Sequence, residues 1–67
     1  MAIQVYCKTF SANMGYHEYI EDARKRAMEK VNEFFLKHDG YDIVNIVEKW
    51  DSGRYCIYLT VYYKDYI

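Results

Sequence analysis

The feature that most constrains this chain is the alternation running through its last third. Tyr55, Ile57, Leu59, Val61 and Tyr63 alternate with Cys56, Tyr58, Thr60, Tyr62 and Lys64. A period of two in β-branched and aromatic residues predicts a strand, with the first, more apolar set facing a core. Tyr58 and Tyr62 then point to the other side, which in a two-layer domain meets water. Ahead of this strand, Trp50-Asp51-Ser52-Gly53-Arg54 reads as a tight connection. Asp51 and Ser52 suit a type I turn, and Gly53 is the residue expected to take the positive φ that follows it. Residues 41–50 are therefore expected to fold back antiparallel on residues 54–65. In that first half of the hairpin, Ile43, Val44, Ile46 and Val47 put apolar groups on both faces. A strand of this kind is covered on both sides or carries a bulge that switches its facing.

Residues 2–10 read as another strand. Ile3, Val5, Cys7 and Thr9 alternate with Gln4, Tyr6, Lys8 and Phe10. The first set is expected in the core, which would send Tyr6 and Phe10 to the same outer face as Tyr58 and Tyr62. The period then changes. Tyr16, Ile20, Ala23, Ala27, Val31, Phe34 and His38 recur at spacings of three and four, widened by Met28 and Phe35, and predict a helix over 16–38. Ser11 or Asn13 is the expected N-terminal cap, and Asp39-Gly40 the stop, with Gly40 as the natural C′ residue. Glu21 and Lys25, Asp22 and Arg26, and Glu33 and Lys37 stand four apart and are expected to pair on the wet side.

Strand, helix, strand, strand gives one α+β domain over residues 1–67. It is a two-layer βαββ unit with a three-stranded antiparallel sheet in order 1-3-2 and one long helix on one face. A chain of 67 residues holds only a small core. One helix covers one face of such a sheet, so an assembly of two or more copies is expected to cover the other. Net charge is -1 with both signs interspersed, against a nucleic-acid binder that works through phosphate contacts. No signal-peptide pattern and no long apolar run are present, so neither membrane insertion nor secretion is expected. Cys7 and Cys56 fall on opposite faces in this reading, so no disulfide is expected and a reducing, cytoplasmic setting fits.

Chemistry-bearing motifs are sparse. His17-Glu18-Tyr19-Ile20-Glu21 lacks the second histidine four residues on that a zinc-protease helix needs, and reads as a solvated first turn. Arg24, Lys25, Arg26 and Lys30 are flanked by acids and read as a salt-bridged outer surface. His38 is expected to favour the last helix carbonyls. Cys56 has no identifiable base beside it and reads as a plain strand thiol. No catalytic residue, metal site or cofactor is therefore expected. The aromatic share of 19%, including 9 tyrosines, points elsewhere. Tyrosine offers large apolar area with a polar tip and is enriched at interfaces. The expected binding surface is Tyr6, Phe10, Tyr58 and Tyr62, with Trp50 at the hairpin end.

Ser11 leading into the long helix, the run Gly40-Tyr41-Asp42-Ile43-Val44-Asn45-Ile46, and the alternating Tyr55–Tyr63 segment together resemble dodecin, a small strand-helix-strand-strand flavin-binding protein. Gly40 stands where that family's flavin-stacking tryptophan is expected, and Cys56 where its flavin-contacting glutamine is expected. The resemblance therefore implies the fold and assembly through the sheet, without the flavin residues. The hairpin is also similar to small sporulation proteins of bacilli. In size and in tyrosine and acid content the chain is similar to phage-encoded inhibitors of bacterial defence. Two functions follow as expectations. One is a non-enzymatic protein that self-assembles through its sheet and acts by binding a protein partner. The other is an oligomer that sequesters a small aromatic or nucleotide-like ligand between protomers.

Overall fold

The computed structural model of the chain describes residues 3–38 and 40–66. Ala2 and Asp39, expected in the first strand and at the helix stop, lie outside the described residues, as do the side chains of Ile3 and Tyr66. The element order is β1 Ile3–Asn13, α1 Ile20–Lys37, β2 Asp42–Asp51 and β3 Cys56–Tyr66. β3 pairs antiparallel with both neighbours, giving the order β1-β3-β2. This is the βαββ arrangement the change of period predicts.

The helix starts four residues later than the periodicity suggests. His17 takes a φ of +66°, outside helical space, and Tyr16 stays out of the helix. Tyr19 is the N-cap, with its N–H donating to Asp22 Oδ2 at 2.8 Å. Ser11 and Asn13, the expected caps, belong instead to β1. At the other end His38 is the C-cap. Gly40, two residues on, takes a φ of +93°, which a side chain would strain. In the hairpin, Asp51 Oδ1 accepts the Gly53 N–H at 3.1 Å. The positive φ there falls on Tyr55, at +49°, and not on Gly53. Tyr55 thereby leaves the core set and lies exposed.

The buried cluster joins Ala23, Ala27 and Val31 of the helix to Ile57, Leu59 and Val61 of β3 and to Ala12 of β1. Two alanines a turn apart let the helix approach the sheet closely. Phe10, Met14, Ile20, Met28, Phe35, Ile46 and Trp50 pack around that cluster.

β1 faces the opposite way from the expected one. Its register sets Tyr6 opposite Tyr63, Phe10 opposite Leu59 and Ala12 opposite Ile57, all on the helix side. Both alternating sets of β1 carry apolar residues, and the set of Tyr6, Phe10 and Ala12 faces the helix, where Ala12 is buried in the core, Phe10 meets Phe34 and Tyr6 stacks on Tyr63. Val5, Cys7 and Thr9 face away from the helix, and Thr9 and Thr60 hydroxyls lie 3.0 Å apart there.

β2 carries the bulge its mixed pattern implied, at the shift between Ile43 and Asn45. Past the bulge Ile46 and Trp50 turn to the helix side, opposite Val61 and Ile57. The helix itself lies over β1 and β3 and leaves β2 at its flank. Arg24 reaches across to that flank and donates through Nε and Nη2 to the Glu48 carboxylate. Arg26 pairs with Glu18, not with Asp22 four residues back. The expected surface ladder at Arg24 and Arg26 is thus replaced by ties from the helix to the rest of the fold.

Candidate interaction surface

The side of the sheet away from the helix is built by alternate residues of three strands. Cross-strand pairs Val5–Lys64, Cys7–Tyr62, Thr9–Thr60 and Ser11–Tyr58 form one half. Pairs Asn45–Tyr62, Val47–Thr60 and Lys49–Tyr58 form the other. Tyr58, Thr60 and Tyr62 therefore make a central row flanked by Cys7, Thr9 and Ser11 on one side and by Asn45, Val47 and Lys49 on the other. Val5 is 63% exposed, Val47 47% and Tyr62 38%. Charged side chains on this face, Lys49, Lys64 and Asp42, come from its margins. No described element lies over it.

Of the five residues expected to form one binding patch, this face holds Tyr58 and Tyr62. Tyr6, Phe10 and Trp50 stand on the opposite side. Tyr6 stacks on Tyr63 with ring centroids 5.6 Å apart, and its hydroxyl donates to Gln4 Oε1. Phe10 meets Phe34 edge-on at 5.6 Å, under the Lys8 ammonium. Trp50 packs on the core cluster. The expected patch left out Val5, Cys7, Thr9 and Val47, which the register puts on this face, and Thr60, which the alternation already sent there. Ala12 carried a signal for them: a small apolar residue at even parity matches a helix that presents alanines.

Cys7 and Cys56 are both free, Cys7 exposed and Cys56 buried. They share the outer side, contrary to the expected opposite faces. Cys7 is opposite Tyr62 and Cys56 opposite Asn13, so six strand residues separate them. At about 3.3 Å per residue that is far beyond disulfide reach.

Two further clusters flank the sheet. At the helix C-terminal end Phe34, Phe35, His38, Tyr41 and Tyr63 form a continuous aromatic group. His38 stacks on Tyr41 at 5.3 Å and 14°, so its ring packs into this group. Burial pushes the Tyr63 phenol above its usual range. At the helix N-terminal end Met14, Gly15, Tyr16, His17, Glu18 and Tyr55 line an open cleft of about 360 Å³. Glu18 shapes that loop. Arg26, and then the Gly15 N–H, hold its carboxyl below the usual carboxylate range. Arg26 also donates to the Asn13 carbonyl. A side chain at Gly15 would collide with Glu18 Oε1.

Among the described residues no group of three or more His, Cys, Asp or Glu is arranged to hold a metal ion. No described helix is long and apolar enough to cross a membrane. Comparison with known protein families, with curated proteins and with solved structures finds no match for this chain.

Proposed function

We propose that this chain is a non-enzymatic binding protein that self-associates through its sheet and acts by occupying a protein partner with the face around Tyr58, Thr60 and Tyr62. The observation that carries this reading is a broad face of tyrosine, threonine and valine that the helix leaves uncovered. Tyrosine there offers apolar area at low entropic cost, and the charges on this face are few: Lys49 beside Tyr58, and Lys64 and Asp42 at one end. A small ligand needs a concavity that encloses it, whereas this surface is a sheet face. A protein partner fits it better.

The test is affinity capture from host-cell extract with the wild type, a Tyr58→Glu/Tyr62→Glu variant and a helix-surface variant, Lys25→Glu. The reading requires one protein that the wild type and Lys25→Glu retain and the double variant loses, followed by a defined complex from the two purified components. Equal capture by all three folded proteins overturns it.

A further inference from the structure

The two edges of this sheet are not equivalent. The Met14 N–H donates to the Tyr55 carbonyl at 2.7 Å, which sets the parity of the β1–β3 ladder. Even residues of β1 exchange hydrogen bonds with β3, and odd residues direct their N–H and C=O groups away from it. The helix confirms that direction. Lys30 Nζ donates to the Ser11 carbonyl at 2.5 Å, and Arg26 donates to the Asn13 carbonyl. Two helix cations therefore occupy the far half of the β1 edge. The outward groups of Val5, Cys7 and Thr9 have no partner among the described residues.

The other edge is blunted over part of its length. β2 is interrupted by the bulge at Ile43/Asn45. Beyond it Asn45 Oδ1 accepts the N–H of Ile46 at 2.9 Å, an outward group of that edge. Bulges and side-chain caps are the usual means of blunting an edge strand, while an unblunted edge is a template for another strand. Further along β2, Glu48 and Trp50 also direct backbone groups outward, but among the charges of Glu48, Lys49 and Asp51, which blunt an edge; the β1 stretch is free of proline and bulge and carries one charge, at Lys8.

We infer that this stretch pairs with the same stretch of a second copy, antiparallel, about a two-fold axis at Cys7. That register sets Cys7 opposite Cys7 and Val5 opposite Thr9, so all three open residues of each copy exchange backbone hydrogen bonds at once. Lys8 falls opposite Tyr6 of the other copy, so the only charge between Gln4 and Phe10 never meets its like. Centring on Thr9 instead would require Ser11 and Asn13, whose carbonyls the helix holds. The product is a six-stranded sheet in which the two outer faces become one continuous surface. This deepens the proposed self-association and rests on it, while partner capture by Tyr58 and Tyr62 is a separate matter.

Cross-strand residues in a hydrogen-bonded pair have Cα atoms about 5.5 Å apart, within disulfide range. Diamide, which takes up the two electrons and two protons, should therefore link the wild type through Cys7. Cys56→Ser should still link and Cys7→Ser should not. A control carrying Cys7→Ser and Ser52→Cys, with its thiol at the hairpin tip, should link far more slowly. Light scattering at micromolar concentration should give about twice the 8.2 kDa of the chain. Thr9→Pro removes an outward N–H and leaves the β1–β3 ladder whole. It should give a monomer with unchanged circular dichroism. A wild-type monomer overturns the inference, as does a dimer that diamide does not join through Cys7 or a folded Thr9→Pro that stays dimeric. If Thr9→Pro fails to fold, the Cys7 link decides alone. A dimer that persists in Tyr58→Glu/Tyr62→Glu while partner capture is lost separates this inference from the proposed function.

Discussion

Glu18 and Arg26 are locked together at the helix start, Nη1 donating to Oε2 at 2.6 Å and Nη2 to Oε1 at 2.8 Å. Because Arg26 also holds the Asn13 carbonyl, this one ion pair ties the end of β1, the Gly15 turn and the first helical turns into a single unit.

The first prediction follows from that pair. The Glu18 carboxyl titrates below its usual range, chiefly because of Arg26. A depressed carboxyl contributes stability that is present above the unfolded value of about 4.3. It is lost as pH falls through the lower folded value. The loop from Asn13 to Glu18 should therefore loosen in acid before the core does. Hydrogen exchange at the Gly15 amide should quicken as pH falls below that range, after correction for intrinsic exchange. Glu18→Gln should show the quickened exchange already at neutral pH. Equal protection in the two proteins would sink the argument.

The elements and their order were legible because period two and period 3.6 each dominate a long stretch. The facing of β1 was not. Val5 and Cys7 compete with Tyr6 and Phe10 for the core, and the alternation of residues 2–10 does not decide between them. Ending that strand at Phe10 hid Ala12, whose parity would have shown the choice. Trp50 followed the bulge inward, which placed it away from Tyr58 and Tyr62. The facing of β3 was therefore legible and that of β1 was inverted, and the valines and threonines of the outer side carried no signal strong enough to be singled out.

Tyr63 supports a second prediction. It is 9% exposed, ringed by Tyr6, Phe34, Phe35 and Tyr41, and burial raises its phenol pKa above the usual value. A raised folded value means the unfolded chain ionises first. The stability is whole below about pH 10 and is lost as pH climbs through the folded value. Spectrophotometric titration should show one phenol lagging the others. Tyr63→Phe should abolish the lag and reduce the alkaline loss of stability.

The core yields a third. Ile57 is fully buried beneath the helix. Ile57→Ala should cost about 2–5 kcal/mol, which rivals the whole stability of a small domain, on the order of 5 kcal/mol. Ile43→Ala, half exposed beside the bulge, should stay within about 0.5 kcal/mol. Urea unfolding of the two variants measures the contrast.

The last prediction sets two tyrosines of equal exposure against each other. Tyr6 and Tyr62 are each 38% exposed, yet they stand on opposite faces of the sheet. Tyr6 stacks on Tyr63 at the helix end. Such a ring pair contributes about 0.5–1.5 kcal/mol beyond its buried area. Tyr62 lies in the open central row beside Cys7 and Asn45. Tyr6→Ala should therefore lower the unfolding free energy and leave partner capture unchanged. Tyr62→Ala should leave stability nearly unchanged and weaken capture by roughly 30-fold, the effect of about 2 kcal/mol at a desolvated aromatic anchor. Urea midpoints and titration against the purified partner measure the two effects independently. If Tyr6→Ala abolishes capture in a protein that stays folded, the working surface is the helix side, and the sheet face has been assigned the wrong role.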